Sequence, residues 1–558
     1  MEEKILGLKR LFFEKKYNKL IFEIQTTIEK KHQNTAIQNL LGACITLRTD
    51  GKSKEDLIWA TKIFKEAYLG GNRTNDGLFA LVNFINISMD VKKDFDIEVN
   101  FKEIFNFFEE AILIFPHSEK LILAILRVYK YLNNLEMILF YLKGLVKKKN
   151  CKISTMCTYI LYNCYKENQS QKFFLKQAQI LDERLPKYDE KKLAKINKKK
   201  NNKINLGFLS ADIVNKHSIT YFLKTILLKY DKKKYEIFLF LNNIKEDQTT
   251  AIFKGLVDKS FNIKDLNDIE AINLIRQNNI DIIIDLMGIM SENRIALLKN
   301  RLAPIQISWL GYCNTTGLKN MDYIISDRNL IYSGEEKLYT EKIIFLPKIW
   351  NCHVGFDLEI KSYPTPFKNN KYITFGSFNN FNKINLNVAE VWSKILKNVK
   401  NSKLILKSSK TLNMDKLKEL FKKNSVLESV SFFERNLSFE EHLNLYQKID
   451  IALDTFPYNG VTTSFEAIWM NVPVLTMKGF NFNSRCGESI NKNIGIDYLI
   501  AKDEREYIDK AIELSKDVEK LTSIRNKIFN EVTSNSLFDK NKFSLEFFRS
   551  LETVYNQL

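Results

Sequence analysis

Two series of short segments that are apolar residue after residue, rather than at every second position, limit the fold more than any other feature of this chain. The first comprises INLGFLS (204–210), YEIFLFL (235–241), IDIIIDLMG (280–288), IQISWLG (305–311) and DYIIS (322–326), alternating with helical stretches or longer connections. A strand of this kind is buried on both faces, which requires a parallel sheet with helices above and below it. The second series runs through KYITFGSF (371–378), an amphipathic helix using Val388, Val391, Trp392, Ile395, Leu396 and Val399, then KLILK (403–407), SVSFF (429–433), IDIALDTF (449–456) and VPVLTM (472–477). The expected class is α/β, two doubly wound domains in tandem with a cleft between them. Ligands of such sheets sit outside the carboxyl ends of the strands, so the cleft is where chemistry is expected.

Residues 1–195 follow a helical period instead, with few Gly or Pro. Ala60, Phe64 and Ala67 recur as Ile104, Phe108 and Ala111, the latter followed by Pro116, and Leu41-Gly42 precedes the first set. The spacing resembles tetratricopeptide repeats, although the copies stand 44 residues apart (60 to 104), where about 34 is the rule. A degenerate helical solenoid and an unrelated helical bundle both satisfy the pattern. At 558 residues the chain has room for three or four domains. The expected divisions are a helical region 1–195, a first sheet domain 203–365, a second sheet domain 366–535 and a C-terminal helix 536–558. Between helices and sheets, Lys191 to Lys203 carries seven Lys and no acid and reads as a solvated linker.

The formal charge of +19 comes from Lys scattered among Asn and Ile, without the basic and aromatic array of an RNA-binding surface, so no nucleic-acid partner is expected. Seven Cys without a C-x-x-C pair imply neither a disulfide framework nor a zinc site, and they suit a reducing compartment. MEEKILGLKR lacks the features of a signal peptide, and no apolar window of membrane-spanning length occurs. A cytoplasmic protein without a transmembrane segment is expected.

The segment Asp450 to Met477, DIALDTFPYNGVTTSFEAIWMNVPVLTM, reads as strand, Pro/Asn/Gly turn, helix and strand. The first amides of a helix have no partner within it and its dipole is positive there, so a phosphate near Thr462 and Thr463 gains hydrogen bonds from main chain and hydroxyls. Glu466, one turn on, could accept from ribose hydroxyls. An ordinary strand-turn-helix whose threonines only cap the helix satisfies the same residues.

NLGFLSAD (205–212), NRLAPIQISWLGYCNTTGLKNMDYIISD (300–327), ITFGSFNNFNKI (373–384), EEHL (440–443), DTFPYNGVTTSFEAIWMNVPVLT (454–476) and SRCGES (484–489) resemble, in order and spacing, the catalytic half of O-linked N-acetylglucosamine transferases of the glycosyltransferase family 41 type, particularly their bacterial relatives. The resemblance implies a GT-B fold behind a helical repeat region, an inverting mechanism and a UDP-sugar donor. It implies that Lys383 contacts the donor pyrophosphate, where an ammonium offsets charge on departing UDP, and that Asn380 is a neighbouring polar donor. His442 is implied to pack against the nucleotide, and Thr462, Thr463 and Glu466 to contact phosphate and ribose. His217, in SADIVNKHSITYF, aligns with a family histidine only when one extra residue is allowed after Asp212; it is the candidate for taking or positioning the acceptor proton.

Two departures stand out. Ile289 occupies a position where many bacterial relatives carry histidine, and Val461 replaces the second residue of their GHTT or GGTT. The only D-x-D tripeptide, Asp94-Phe95-Asp96, lies in the helical region, so no metal or other cofactor is expected, Lys and helix dipole taking the place of a divalent ion. The expected function is metal-independent transfer of N-acetylglucosamine from UDP-GlcNAc to Ser or Thr of a protein or peptide acceptor. Rival readings are an asparagine-directed glucosyltransferase, a glycan-directed UDP-sugar transferase and a non-catalytic repeat scaffold.

Overall fold

The computed structural model describes residues 2–27, 34–196, 202–215, 217–356, 358, 361–408, 414–433 and 438–557. The chain divides into two compact units, one holding residues up to Leu145 and the other Val146–Ser408 with Leu417–Leu558.

Among its described residues the first unit contains helices and their connections and no strand. Helices Thr35–Leu47, Lys54–Gly71, Asn75–Phe95, Phe101–Ile114 and Glu119–Tyr131 each begin behind an Asn, Ser or Thr side chain that accepts an amide of the first turn, which is what ends one helix and starts the next. Ala60, Phe64, Ala67, Ile104, Phe108 and Ala111 are all buried. Gly42 matters to this packing, because a Cβ there would stand 2.8 Å from the Phe64 ring. The 44-residue interval between the two sets is filled by a helix of 21 residues, Asn75–Phe95, and by the non-helical residues 96–100.

The second unit holds two wholly parallel sheets. The first has strands β1 (Ile204–Ser210), β2 (Tyr235–Leu241), β3 (Lys259–Asn262), β4 (Ile282–Asp285), β5 (Ile305–Ser308), β6 (Tyr323–Ser326) and β7 (Lys342–Phe345), in the order β3-β2-β1-β4-β5-β6-β7. The second has β8 (Thr374–Ser377), β9 (Lys403–Lys407), β10 (Val430–Phe433), β11 (Ile451–Leu453), β12 (Val474–Met477) and β13 (Ile500–Ala501), in the order β10-β9-β8-β11-β12-β13. The continuous apolar segments form the central strands, as their two-sided burial requires. The edge strand β3 (KSFN) and the two-residue β13 lack such a run, and β3 has its end residues exposed; β7 carries a short one, Ile343 to Phe345. IDIIIDLMG and IQISWLG pair for only four residues each, and their remainders leave the sheet as turns.

Helices Ile153–Asn163 and Gln171–Arg184 belong to this second unit. Met156, Ile160, Phe174 and Leu181 share one core with Leu209, Phe238 and Phe240 of the first sheet. Gln171 Nε2 donates to Asn314 Oδ1 at 2.6 Å, and Asp182 pairs with Lys299 at 2.9 Å. In the Lys-rich stretch, residues 197–201 lie outside the described residues; before them Leu193 is buried and the Ala194 amide donates to Asn273 Oδ1 at 2.6 Å, while Lys191, Lys192 and Lys195 are exposed. The last helix, Lys540–Tyr555, returns to the first sheet: Phe547 packs on Trp309 with ring centres 4.7 Å apart, and Tyr235 Oη donates to the Phe548 carbonyl at 3.3 Å.

Candidate active site

In each sheet the strand order reverses once, between β1 and β4 and between β8 and β11, and both reversals open onto one cavity of 350 Å³. The segments leaving β1, β4 and β5 form one wall and those leaving β8 and β11 the other. Of the residues singled out in the sequence, His217, Asn380, Lys383, Thr462 and Thr463 line this cavity. His442 and Glu466 do not; Glu466 stands one turn along the helix that Thr462 begins, where His442 of helix Phe439–Asn444 meets it.

On the wall of the second sheet, Asp454 at the end of β11 organises the following turn. Its carboxylate accepts from the amides of Thr455 (2.9 Å) and Gly460 (2.7 Å), from Asn379 Nδ2 (3.2 Å) and from Thr476 Oγ1 (2.7 Å). Burial nevertheless pushes its pKa up to about 6. Gly460 has no room for a side chain, because a Cβ would lie 2.5 Å from Asn379 Oδ1 and 2.6 Å from Thr463 Oγ1. Helix Thr462–Trp469 then starts with Val461 in the cap position, which makes no side-chain cap bond. The threonines are therefore the first two helical residues and not its caps. Among the described residues no acceptor meets the amides of Thr462 and Thr463. Thr463 Oγ1 donates to Asn379 Oδ1 at 2.7 Å.

Lys383 ends the short turn Phe381–Lys383 that follows β8. Its Nζ donates to the Asn459 carbonyl at 2.7 Å and stands 4.2 Å from the centre of the Tyr458 ring. Burial lowers the ammonium's pKa, and the nearby Asp454 carboxylate acts the other way. Asn380 is exposed and caps this turn, accepting from the Asn382 amide at 3.1 Å. The buried neighbour Asn379 is the one tied to both Asp454 and Thr463.

His442 Nε2 meets Glu466 Oε2 at 3.1 Å, and Lys407 Nζ lies 3.4 Å from His442 Nδ1. An ammonium can only donate, so Nδ1 is the acceptor and Nε2 carries the proton that Glu466 receives. Tyr446 Oη donates to the same Glu466 oxygen at 2.9 Å. The two side chains are 10% and 8% exposed, so their orientation is set before any ligand arrives.

On the wall of the first sheet, His217 precedes helix Ser218–Leu227, its Nε2 3.6 Å from Asp212 Oδ1. Its Nδ1 is buried with no hydrogen-bond partner among the described residues. Burial raises the Asp212 pKa, against the pull of the imidazole. Ile289 is part of the first-sheet core and not of the cavity wall, which Met290 and Ser291 form at that point. Sequence reasoning passed over Asn379, Asp454 and Tyr458, although all three stand inside quoted motifs. A carboxylate directly after a strand and before a Pro/Asn/Gly turn was the available signal for Asp454.

Asp94 and Asp96 lie at the end of helix Asn75–Phe95 in the helical unit, Asp96 paired with Lys92 at 2.7 Å. Among the described residues no group of three or more His, Cys, Asp or Glu side chains is placed to share a metal ion.

Two parallel sheets that face each other across one cavity at their reversal points are the architecture of GT-B glycosyltransferases. Residues 166–357 and 361–547 match Glycosyl transferase family 41, and the chain belongs to that family. It is 32% identical over 364 residues to a tomato (Solanum lycopersicum) protein named as a probable UDP-N-acetylglucosamine–peptide N-acetylglucosaminyltransferase, SPINDLY; the match takes in 63% of this chain and 38% of that protein. The Arabidopsis thaliana SPINDLY protein is 31% identical over 366 residues, 64% of this chain and 39% of the relative. This chain therefore spans about two-fifths of the length of these relatives. Among solved structures, a lysine-to-methionine mutant of the Thermobaculum terrenum O-GlcNAc transferase shares its fold, with a TM-score of 0.78, 22% identity, and coverage of 94% of this chain and 98% of that one.

Proposed function

We propose that this chain is an inverting, metal-independent transferase that moves N-acetylglucosamine from UDP-N-acetylglucosamine to a Ser or Thr hydroxyl of a protein acceptor. The observation that carries the reading is the meeting of His217 from one sheet with Lys383, Thr462 and Thr463 from the other around one cavity. The names of the plant relatives supply the sugar and the peptide acceptor.

In this reading the unbonded amides of Thr462 and Thr463 and the Lys383 ammonium receive the diphosphate, and the buried His442–Glu466 pair stands where the nucleoside lies. Asn380 donates to the donor from the same wall as Lys383. The acceptor hydroxyl attacks the anomeric carbon, the bond from that carbon to the UDP oxygen breaks, and the hydroxyl proton passes to His217 or is held in line by it. Charge that gathers on UDP is stabilised by Lys383 and the helix start, donors already in place before the bond breaks. The helical residues 1–195 present the acceptor polypeptide, a use for which stacked helices are suited. Kinship with bacterial members of the family and a cytoplasmic setting complete the reading; among the described residues no helix is long and apolar enough to cross a membrane.

The test is incubation of purified protein with UDP-N-acetylglucosamine and candidate acceptor proteins in excess EDTA, following UDP release and acceptor intact mass. One N-acetylhexosamine per modified Ser or Thr is expected. A hexose on Asn would mean the asparagine-directed activity, and absence of both release and transfer would leave only a scaffold. Dependence of UDP binding on added manganese would refute the metal-independent site.

A further inference from the structure

Helices Ile153–Asn163 and Gln171–Arg184 pack into the core of the first sheet, yet the connection between them reaches the second. Tyr165, half-buried in that connection, packs on Tyr458 with ring centres 5.3 Å apart and planes inclined at 64°, an edge-to-face pair. Tyr458 belongs to the turn after β11 and lines the cavity. Its ring also carries Lys383, whose Nζ stands 4.2 Å from the ring centre. One residue of the helical segment is thus a single ring away from the lysine of the donor wall.

The connection is anchored on both sides. Gln169 Nε2 donates to Asn163 Oδ1 at 2.7 Å, Cys164 is buried, and the Ser170 side chain caps the next helix by accepting the Phe173 amide. Within that helix Phe174 stacks on Phe480, in the segment after β12, with ring centres 6.2 Å apart. Tyr165 is therefore placed by its own segment and does not depend on Tyr458 for its position. The contact it makes there is between rings, which makes its hydroxyl dispensable to the pair.

We propose that Tyr165 is a positioning residue of the donor site, fixing the Tyr458 ring on which Lys383 rests, so that the helical segment ahead of the first sheet completes the diphosphate contact. The inference rests on the function proposed above, in which Lys383 receives the diphosphate. An ammonium has three N–H donors and no acceptor. The Asn459 carbonyl takes one at 2.7 Å and the Tyr458 face a second, which leaves one for a phosphate oxygen and sets its direction. Burial disfavours the charged form of this lysine, and a ring face is worth more to a desolvated cation than to an exposed one. Among the described residues Tyr165 is the ring that packs on Tyr458. Without it the Tyr458 ring turns, Lys383 keeps only the carbonyl, and its remaining donor loses its aim. Tyr165 touches neither Lys383 nor the donor itself; it acts through Tyr458.

UDP titration calorimetry on the full chain, in a cycle of Tyr165→Leu, Lys383→Ala and the double variant, tests this. Tyr165→Leu should bind UDP roughly 5- to 30-fold more weakly, the scale of a desolvated cation–π contact, and still melt cooperatively at the wild-type temperature. Tyr165→Phe keeps the ring and should bind UDP within about twofold of wild type. In the Lys383→Ala background the leucine substitution should change affinity by less than about twofold, because the support has nothing left to hold. Tyr165→Met takes the place of the leucine variant if the latter gives no cooperative melt. Wild-type UDP affinity in Tyr165→Leu, an equal loss in both backgrounds, or failure of Tyr165→Phe to keep the affinity would each overturn the proposal, and none of them touches the function reading while Lys383→Ala alone weakens UDP. Unchanged UDP binding by Lys383→Ala would take the lysine off the diphosphate, and the reading and this inference would then fall together.

Discussion

The two walls of the cavity are built differently. The second-sheet side is braced: Asp454 takes four hydrogen bonds, Lys383 is fixed by a carbonyl and a ring face, and beside the cavity Glu466 is held by His442 and Tyr446. The wall from the first sheet offers His217, 39% exposed at its side chain, a long 3.6 Å from Asp212 and with one nitrogen unpartnered among the described residues. A diphosphate of constant shape rewards donors locked in advance, whereas an acceptor side chain brought by another protein completes its own hydrogen bonds on arrival. Under the proposed function the contrast corresponds to a rigid donor half and an open acceptor half.

The sharpest way to break this contrast is to remove what supports the acceptor wall from behind. A truncation beginning at Lys203 strips Ile160, Phe174 and Leu181 from the first-sheet core; each such loss costs about 2–5 kcal/mol singly, and together they rival the ordinary stability of a domain. That protein should fail to give a cooperative melt, whereas one beginning at Val146 should melt cooperatively and bind UDP. Less drastic is His217→Ala, expected to lower transfer by roughly 10² to 10⁴ with melting temperature unchanged, as for loss of a general base. Lys383→Ala should cost about 10² to 10³ in turnover, the effect of removing one preorganised electrostatic contact; retention of more than half the activity would remove Lys383 from the leaving diphosphate.

The smallest effect concerns the seam between the walls. His353 is fully buried, stacked on Tyr221 of the helix behind His217 and near Phe465 of the helix that Thr462 begins, with ring centres 4.9 and 6.0 Å away. Burial pushes its pKa from an ordinary 6.5 down to about 3. A depressed pKa contributes stability that is complete above the unfolded value and is lost as pH falls toward the folded one. Between pH 7 and pH 5 the wild type should therefore lose roughly 2 kcal/mol through this residue, and denaturant melts of His353→Phe should lack that increment. An equal pH dependence in both proteins would place the acid sensitivity elsewhere.

The central strands were legible because two-sided burial leaves an apolar run; β3, with one apolar residue in KSFN, and the two-residue β13 were too short or too polar to stand out, and β7 was passed over although IIFL (343–346) is such a run. Thr462, Thr463 and Lys383 were legible as motif members, and the structure places all three on one cavity. The role of Asp454 was not, since its significance lies in four donors, of which Thr455 and Gly460 belong to the turn that follows while Asn379 and Thr476 are brought to it only by the fold. The choice between Asn379 and Asn380 was equally closed to pattern reasoning, because adjacent residues of one type differ only in which side of the turn they face. The membership of helices Ile153–Asn163 and Gln171–Arg184 in the sheet unit was hidden for the reverse reason. A helical period reports that a face is buried, not against what.

The separability of the two walls is measured by UDP titration calorimetry on wild type, His217→Ala and Lys383→Ala in excess EDTA, beside single-turnover transfer at saturating donor. Both variants should lose transfer, with His217→Ala binding UDP within about threefold of wild type and Lys383→Ala binding it more weakly. Loss of UDP binding by a well-folded His217→Ala in proportion to its loss of transfer would contradict the division into a donor wall and an acceptor wall.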